Sequence, residues 1–217
     1  MRILLIATRQ IGDVLLVTPL LRSLRQAYQQ AVIDVLVYDR KGGMLEGNPD
    51  YNLLISVAEH PNLNEYNQLW RQIFHRYDLA ISTLSGDRPI IYTILAARQR
   101  VAVVPPKRWQ SQWKRWAIKT WVELDNEHSH TVIQNLRLAD LLGIPRHYEI
   151  VVPQAKTAMD QLNKLLPFAW QNQAFIVVHL LPMWHYKRWT LTGWREVIEF
   201  FLHQHYNVVI TGGGDVE

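Results

Sequence analysis

The chain contains no cysteine. That excludes disulfides and thiolate metal sites, and it is the usage expected in a reducing cytoplasm. No apolar run approaches the roughly 20 residues that cross a bilayer as a helix. The N-terminal apolar segment is only strand-length and lacks a signal-peptide profile. Glycine is scarce where one nucleotide-binding class most needs it. The first turn, Arg9-Gln10-Ile11-Gly12-Asp13, has a single glycine, and the three-glycine fingerprint of dinucleotide-dependent dehydrogenases is missing. Acidic residues are absent from Arg88 to Val122, where Arg88, Arg98, Arg100, Lys107, Arg108, Lys114, Arg115 and Lys119 place +8 on a chain of net charge +4. The remainder therefore carries −4. One cationic segment on a mildly acidic body points to an anionic partner.

What is present reads as a core-forming α/β chain. Its 217 residues, 48% apolar and 19% charged, suit one to two globular domains. Arg2 to Ala7 is an apolar run of strand length, followed by the polar turn Thr8 to Asp13. Val17, Leu21 and Leu24 then fall on one helical face. Strand, glycine turn and helix form the first half of a βαβ unit, whose ligand crevice lies beyond the carboxyl end of the strand. Gly12 is expected to let the backbone turn tightly. Asp13 has two readings at the helix mouth: a helix cap favoured by the dipole, or a carboxylate held at the crevice to accept a proton.

The same alternation continues. Val32–Tyr38, Leu53–Val57, Asp78–Thr83 and Val101–Val104 read as strands. Asn64 to Tyr77 has helical spacing through Leu69, Ile73 and Tyr77, and Ile90 to Ala97 reads as a helix. Strands alternating with helices predict a parallel, doubly wound sheet. Thr83-Leu84-Ser85-Gly86-Asp87 closes the fourth strand and either completes a turn or offers hydroxyls and a carboxylate to a ligand. From His128 a helix runs to Leu142 with Gly143 as its C-cap. His128 and His130, two apart, do not share a helical face, so they are not read as a metal pair.

Lys107 to Trp121 is the most unusual composition. If helical, it places Trp109, Trp113 and Trp116 on one face, with Lys114, Arg115 and Lys119 to the sides. Indoles flanked by cations suit the headgroup level of a membrane, and nucleic acid would accept the same surface. Inward-packed tryptophans beneath a solvated basic face are the plainer alternative.

Pro145 and Pro153 bracket an extended stretch, Tyr148 to Val152, that reads as the crossover from the first domain. The βα pattern then restarts with a helix at Lys156–Leu166, a strand at Ala174–His179, a helix from about Thr192 to His205 and a strand at Tyr206–Thr211. The expected division is a first domain at 1–152 and the start of a second at 153–217.

Several motifs resemble one family. Arg9-x-x-Gly12-Asp13-x-x-Leu16-x-Thr18-Pro19-x-Leu21-Arg22 resembles the opening signature of glycosyltransferase family 9, the lipopolysaccharide heptosyltransferases. Tyr77-Asp78, Ser85-Gly86, His130, Asn135 and Leu142-Gly143 fit the same pattern. Lys187-Arg188-Trp189 resembles its second signature, and Thr211-Gly212-Gly213 its second glycine turn. Where the family has a small proline-glycine-alanine turn, this chain has Leu180-Leu181-Pro182. The resemblance implies two Rossmann-like parallel-sheet domains of the GT-B type, the second incomplete over this length.

By the same resemblance, Asp13 is the catalytic base of an inverting transfer from an ADP-heptose-like donor to a lipid-linked core saccharide. Lys187, Arg188, Thr211, Gly212 and Gly213 fall on the donor side. Arg9 and Gly12 fall on the acceptor side, and Lys107, Arg108, Trp109, Trp113, Lys114, Arg115 and Trp116 face an anionic membrane rather than nucleic acid. No cofactor and no obligatory metal are implied, and the place of action is the cytoplasmic face of the inner membrane. The alternative is a truncated relative without turnover, acting as a binding module at that surface.

Overall fold

The computed structural model describes residues 1–106, 109–153, 158–182 and 185–212. Lys107, Arg108, Lys156 and Gly213, singled out above, lie outside the described residues. The chain forms two compact units, Met1–Gln154 and Ala155–Glu217.

In the first unit, β1 (Arg2–Ile6), β2 (Val32–Tyr38), β3 (Leu53–Val57), β4 (Tyr77–Ser82), β5 (Ala97–Val104) and β6 (Thr120–Glu123) form a 6-stranded sheet. Its order is β3-β2-β1-β4-β5-β6, and every pairing is parallel. The helices are α1 (Ile11–Leu15), α2 (Thr18–Ala27), α3 (Leu63–Ile73), α4 (Asp87–Ala96), α5 (Gln112–Ala117) and α6 (Thr131–Leu141). A parallel sheet covered on both faces needs strands that are apolar on both sides, and β1 meets that demand. Ile3 and Leu5 pack with Val17, Leu21 and Leu138 on one face. Leu4 and Ile6 pack with Leu69, Ile73 and Tyr92 on the other.

Several boundaries differ from the pattern in the sequence: Ala97 opens β5 instead of ending a helix, α6 begins at Thr131 after its cap His130, and three further differences have a clear physical cause. Helical spacing through Leu69 and Ile73 extends to Tyr77, yet α3 ends at Ile73 and Tyr77 opens β4. His75 takes a positive φ of 52°, which turns the chain. The Tyr77 side chain is then buried, its hydroxyl donating to Asp34 at 2.8 Å. Burial and this bond push the phenol well above its ordinary range. The first helix is broken into α1 and α2 because Pro19 has no N–H for the Leu15 carbonyl. The Thr18 hydroxyl donates to that carbonyl instead, at 2.8 Å. The tryptophan-rich segment is not one helix. A 3-10 turn at Trp109–Ser111 leads into the six-residue α5, and Thr120 starts an edge strand. Thr120, Trp121 and Val122 are β-branched or aromatic and favour a pleated surface.

Gly143 ends α6 with φ 67°, its N–H donating to Asp140 at 2.9 Å. The chain then runs extended along α2, with His147 N–H on Ser23 Oγ and Val151 N–H on Thr18 Oγ1. Arg146 returns to Asp140, its Nε donating to Oδ1 at 2.7 Å and a terminal nitrogen to Oδ2. These bonds hold the Asp140 carboxyl below the usual carboxylate range. A carboxyl lowered in the folded state stabilises fully above its unfolded pKa of about 3.9 and loses that contribution as pH falls through the folded value. The stability gap between wild type and Asp140→Asn should therefore narrow from pH 5 to pH 2. Urea midpoints across that range test this, and a constant gap would remove the pair from acid stability.

In the second unit, β7 (Phe175–Leu181) and β8 (Asn207–Gly212) pair in parallel, with α7 (Ala158–Leu165) before them and α8 (Leu191–His203) between them. This repeats the βαβ theme of the first unit.

Candidate functional site

The sheet order reverses between β1 and β4. The chain leaves β1 toward α1 and α2 on one face, and leaves β4 toward α4 on the other. Such a switch point opens a crevice at the carboxyl ends of the strands. Thr83 closes its floor, its N–H and hydroxyl both donating to the Ile6 carbonyl, at 3.2 and 3.1 Å. Above it lies a cavity of about 250 Å³ lined by Thr8, Arg9, Tyr38, Thr83, Leu84, Ser85, Gly86, Pro89, Leu124 and Asn126. These residues follow or end β1, β2, β4 and β6, so four strand ends contribute. The Thr8 hydroxyl is buried with no protein partner among the described residues. An unpaired buried hydroxyl is costly unless a water or ligand meets it.

Asp13 lines a small adjoining void that shares Arg9, Thr83 and Leu84 with the larger cavity. Its side chain is 29% exposed, and Arg9 Nε stands 3.5 Å from Oδ2. Asp13 is not the cap itself, although the helix dipole favours a carboxylate where it stands. The N-cap of α1 is Gln10, and Asp13 lies within the first turn. Gly12 departs from expectation too. It sits inside α1 without a positive φ, and a Cβ there would meet nothing within 4 Å. The turn does not require glycine, and the space over α1 is open.

One side chain holds the end of α1, and a second caps the helix that carries it. The end of α1 leaves the Leu16 carbonyl free of the α2 ladder, and buried Asn135 donates to it at 3.1 Å. His130 caps α6, its Nδ1 accepting from Val132 N–H at 3.2 Å, which fixes that imidazole nitrogen as an acceptor. Both residues therefore serve as anchors for the crevice wall, and Asn135 also lines the void beside Asp13.

The cationic segment is rearranged relative to its sequence. Lys114 is 6% exposed, its ammonium 2.7 Å from both the Ser85 carbonyl and Asp87 Oδ1. Arg115 donates to the Pro105 carbonyl and Glu123, and its guanidinium lies 4.3 Å from the Trp121 ring. These two cations tie α5 to the crevice wall and to β6 instead of facing outward, because nearby acids compensate them. Asp87 is likewise committed to Lys114. The indoles remain outside: Trp109 is 92% exposed and Trp116 86%, with Trp113 less so.

In the second unit, Lys187 ends a 3-10 turn at His185–Lys187, and both Lys187 and Arg188 are exposed. The Lys187 ammonium stands 5.7 Å from the Tyr186 ring centroid. Thr211 Oγ1 lies 3.1 Å from His179 Nδ1 and donates to the Val178 carbonyl. Gly212 pairs with Leu181 at the strand end. Residues not singled out from sequence are Thr8, Tyr38, Asn126 and His179. For Thr8 and Tyr38 the signal was position, at or just past a strand's carboxyl end, whereas Asn126 follows a strand that the sequence pattern did not show and His179 lies within β7.

No protein-family model matches the chain. Lipopolysaccharide heptosyltransferase 3 of Escherichia coli K12 is 25% identical, over 93% of this chain and 60% of that protein. The glycosyl transferase family 9 crystal structure from Veillonella parvula superposes with a TM-score of 0.80 at 19% identity, covering 98% of this chain and 62% of that one. E. coli heptosyltransferase WaaC with ADP gives 0.71 at 19% identity, covering 99% and 69%. The chain spans about 60% of the length of the curated relatives it matches. Over that span it is similar to lipopolysaccharide heptosyltransferase 3, and its α/β fold is that of the glycosyltransferase family 9 structures.

Proposed function

We propose that this chain carries out, within an inverting glycosyltransferase, the transfer of heptose from an ADP-sugar to a lipopolysaccharide core acceptor. The observation that carries the reading is Asp13, a partly exposed carboxylate at the switch-point crevice of a chain similar to heptosyltransferases. The acceptor hydroxyl gives its proton to Asp13 while its oxygen attacks the anomeric carbon. The bond from that carbon to the diphosphate breaks, and ADP leaves with the electron pair. A single displacement inverts the anomeric centre. Lys187 and Arg188 supply positive charge to the departing diphosphate, where stabilisation grows as the bond breaks. The crevice offers what a sugar needs: the hydroxyls of Thr8, Tyr38, Thr83 and Ser85, the Asn126 amide and the Arg9 guanidinium.

The exposed indoles of Trp109 and Trp116 stand on α5 and the turn before it, and Lys114 joins α5 to the crevice loop. That arrangement supports a peripheral contact with an anionic membrane at the cytoplasmic face, made through aromatic side chains more than through Lys114 or Arg115. The direct experiment is ADP release from ADP-heptose with a heptose-deficient core lipid as acceptor. Turnover should depend on the acceptor. Acceptor-independent hydrolysis alone, or no release with either substrate, sinks the assignment.

A further inference from the structure

Gly193 occupies the third position of α8, after the cap Thr190, whose Oγ1 accepts the Gly193 N–H at 3.1 Å. Glycine in a helix costs about 0.5–1 kcal/mol relative to alanine, so a reason is needed. Conformation is not the reason, because Gly193 has no positive φ. Space is. A Cβ there would stand 2.6 Å from Cζ2, 2.7 Å from Cε2 and 3.0 Å from Cη2 of Trp189. The six-membered ring of that indole lies directly on the backbone of α8, where only a hydrogen fits. Trp194 closes the other side, edge-on, with centroids 5.2 Å apart and planes at 77°.

Trp189 is still 53% exposed, so this contact is not core filling. What it does hold is the chain immediately before the helix. Lys187 and Arg188 extend from a single 3-10 turn, which has no hydrogen-bond ladder to stiffen it. A rigid ring seated on α8 one residue later fixes where that turn leaves the helix. The same ring cannot be seated if residue 193 carries a side chain.

We propose that Gly193 and Trp189 are positioning residues: a glycine socket and an indole plug that aim Lys187 and Arg188 at the diphosphate of a nucleotide. The inference rests on the reading of Lys187 as a diphosphate contact. Charge-assisted contacts are strong only when geometry is held, so loosening the plug should weaken diphosphate binding without unfolding the unit.

The test uses ADP as the probe on wild type, Gly193→Ala, Trp189→Phe and Lys187→Ala. Alanine is the better helix former, so helical far-UV dichroism and the unfolding midpoint should be kept in Gly193→Ala. The near-UV dichroism of the coupled indole pair should fall, and ADP affinity should drop roughly tenfold. Trp189→Phe should lose the indole signal and show a smaller drop in affinity. Gly193→Ala binding ADP like wild type, beside a weakened Lys187→Ala, overturns the socket alone. Unchanged affinity in Lys187→Ala overturns the diphosphate contact and the aiming role with it. Retention of the indole signal in Gly193→Ala also overturns the proposal.

Discussion

Replacing Asp13 with asparagine should lower acceptor-dependent sugar transfer by about 10²–10⁴-fold, the usual worth of a positioned general base. The substitution keeps the shape of the side chain and removes its ability to take a proton. Little else should change. Among the described residues the carboxylate pairs with Arg9, at 3.5 Å and partly in solvent, and exposed pairs of that kind contribute about 0–1 kcal/mol. The unfolding midpoint of Asp13→Asn should therefore stay close to wild type while turnover falls. The loss should appear in kcat more than in KM, because proton transfer belongs to the transition state and not to acceptor binding. Turnover within threefold of wild type would remove Asp13 from the chemistry and leave the crevice as a binding site only.

The parts of the site legible in sequence were those set by local rules. An apolar run of strand length, a polar turn and a period-3.6 stripe located β1, the crevice and the buried face of α2. Asp13 followed from its place just beyond the strand. Gly143 was legible because a helix end in the left-handed region favours glycine. Gly12 misled for the same reason: glycine suggests a tight turn, but here the backbone is helical and the residue leaves open space instead. The break at Pro19 was present in the sequence, yet its consequence depends on which groups accept the stranded carbonyls. Thr18 fills one locally, whereas the other waits for Asn135, more than a hundred residues later.

Charge was the least transferable signal. A run of eight cations without an acid looks like a basic surface, but surface is decided by partners distant in sequence. Lys114 is drawn inward by Asp87 and the Ser85 carbonyl, and Arg115 by Glu123 and Trp121. Spacing alone put these cations beside the tryptophans, because it assumed one long helix. The chain instead passes from α5 into β6, and the cations become the struts of that corner. Trp113 and Trp116 are then left exposed while Lys114 and Arg115, the cations between them in sequence, turn to other partners.

Truncating Leu5 to alanine should destabilise the first unit by about 2–5 kcal/mol, whereas the same change at Leu53 should cost under about 0.5 kcal/mol. Both residues lie in strands of one sheet, so propensity predicts similar losses. Packing separates them. Leu5 is fully buried, paired in register with Val35 and Ile81, and packed among Val14, Val17 and Leu21. Neighbours on four elements, β2, β4, α1 and α2, cannot all collapse into the space it leaves, so a cavity term adds to the lost transfer energy. Leu53 opens the edge strand β3 and is 54% exposed, and water already occupies much of what truncation would vacate. The consequence extends to the crevice, because Thr83 hangs from the Ile6 carbonyl and Asp13 from the helix packed over Leu5. Leu5→Ala should therefore lose cavity geometry before it loses the sheet, and substrate binding should weaken under conditions where far-UV dichroism is still native. Urea unfolding of the two variants decides the matter. Equal losses within about 1 kcal/mol would mean that β1 is not the strand on which the fold and the site both depend.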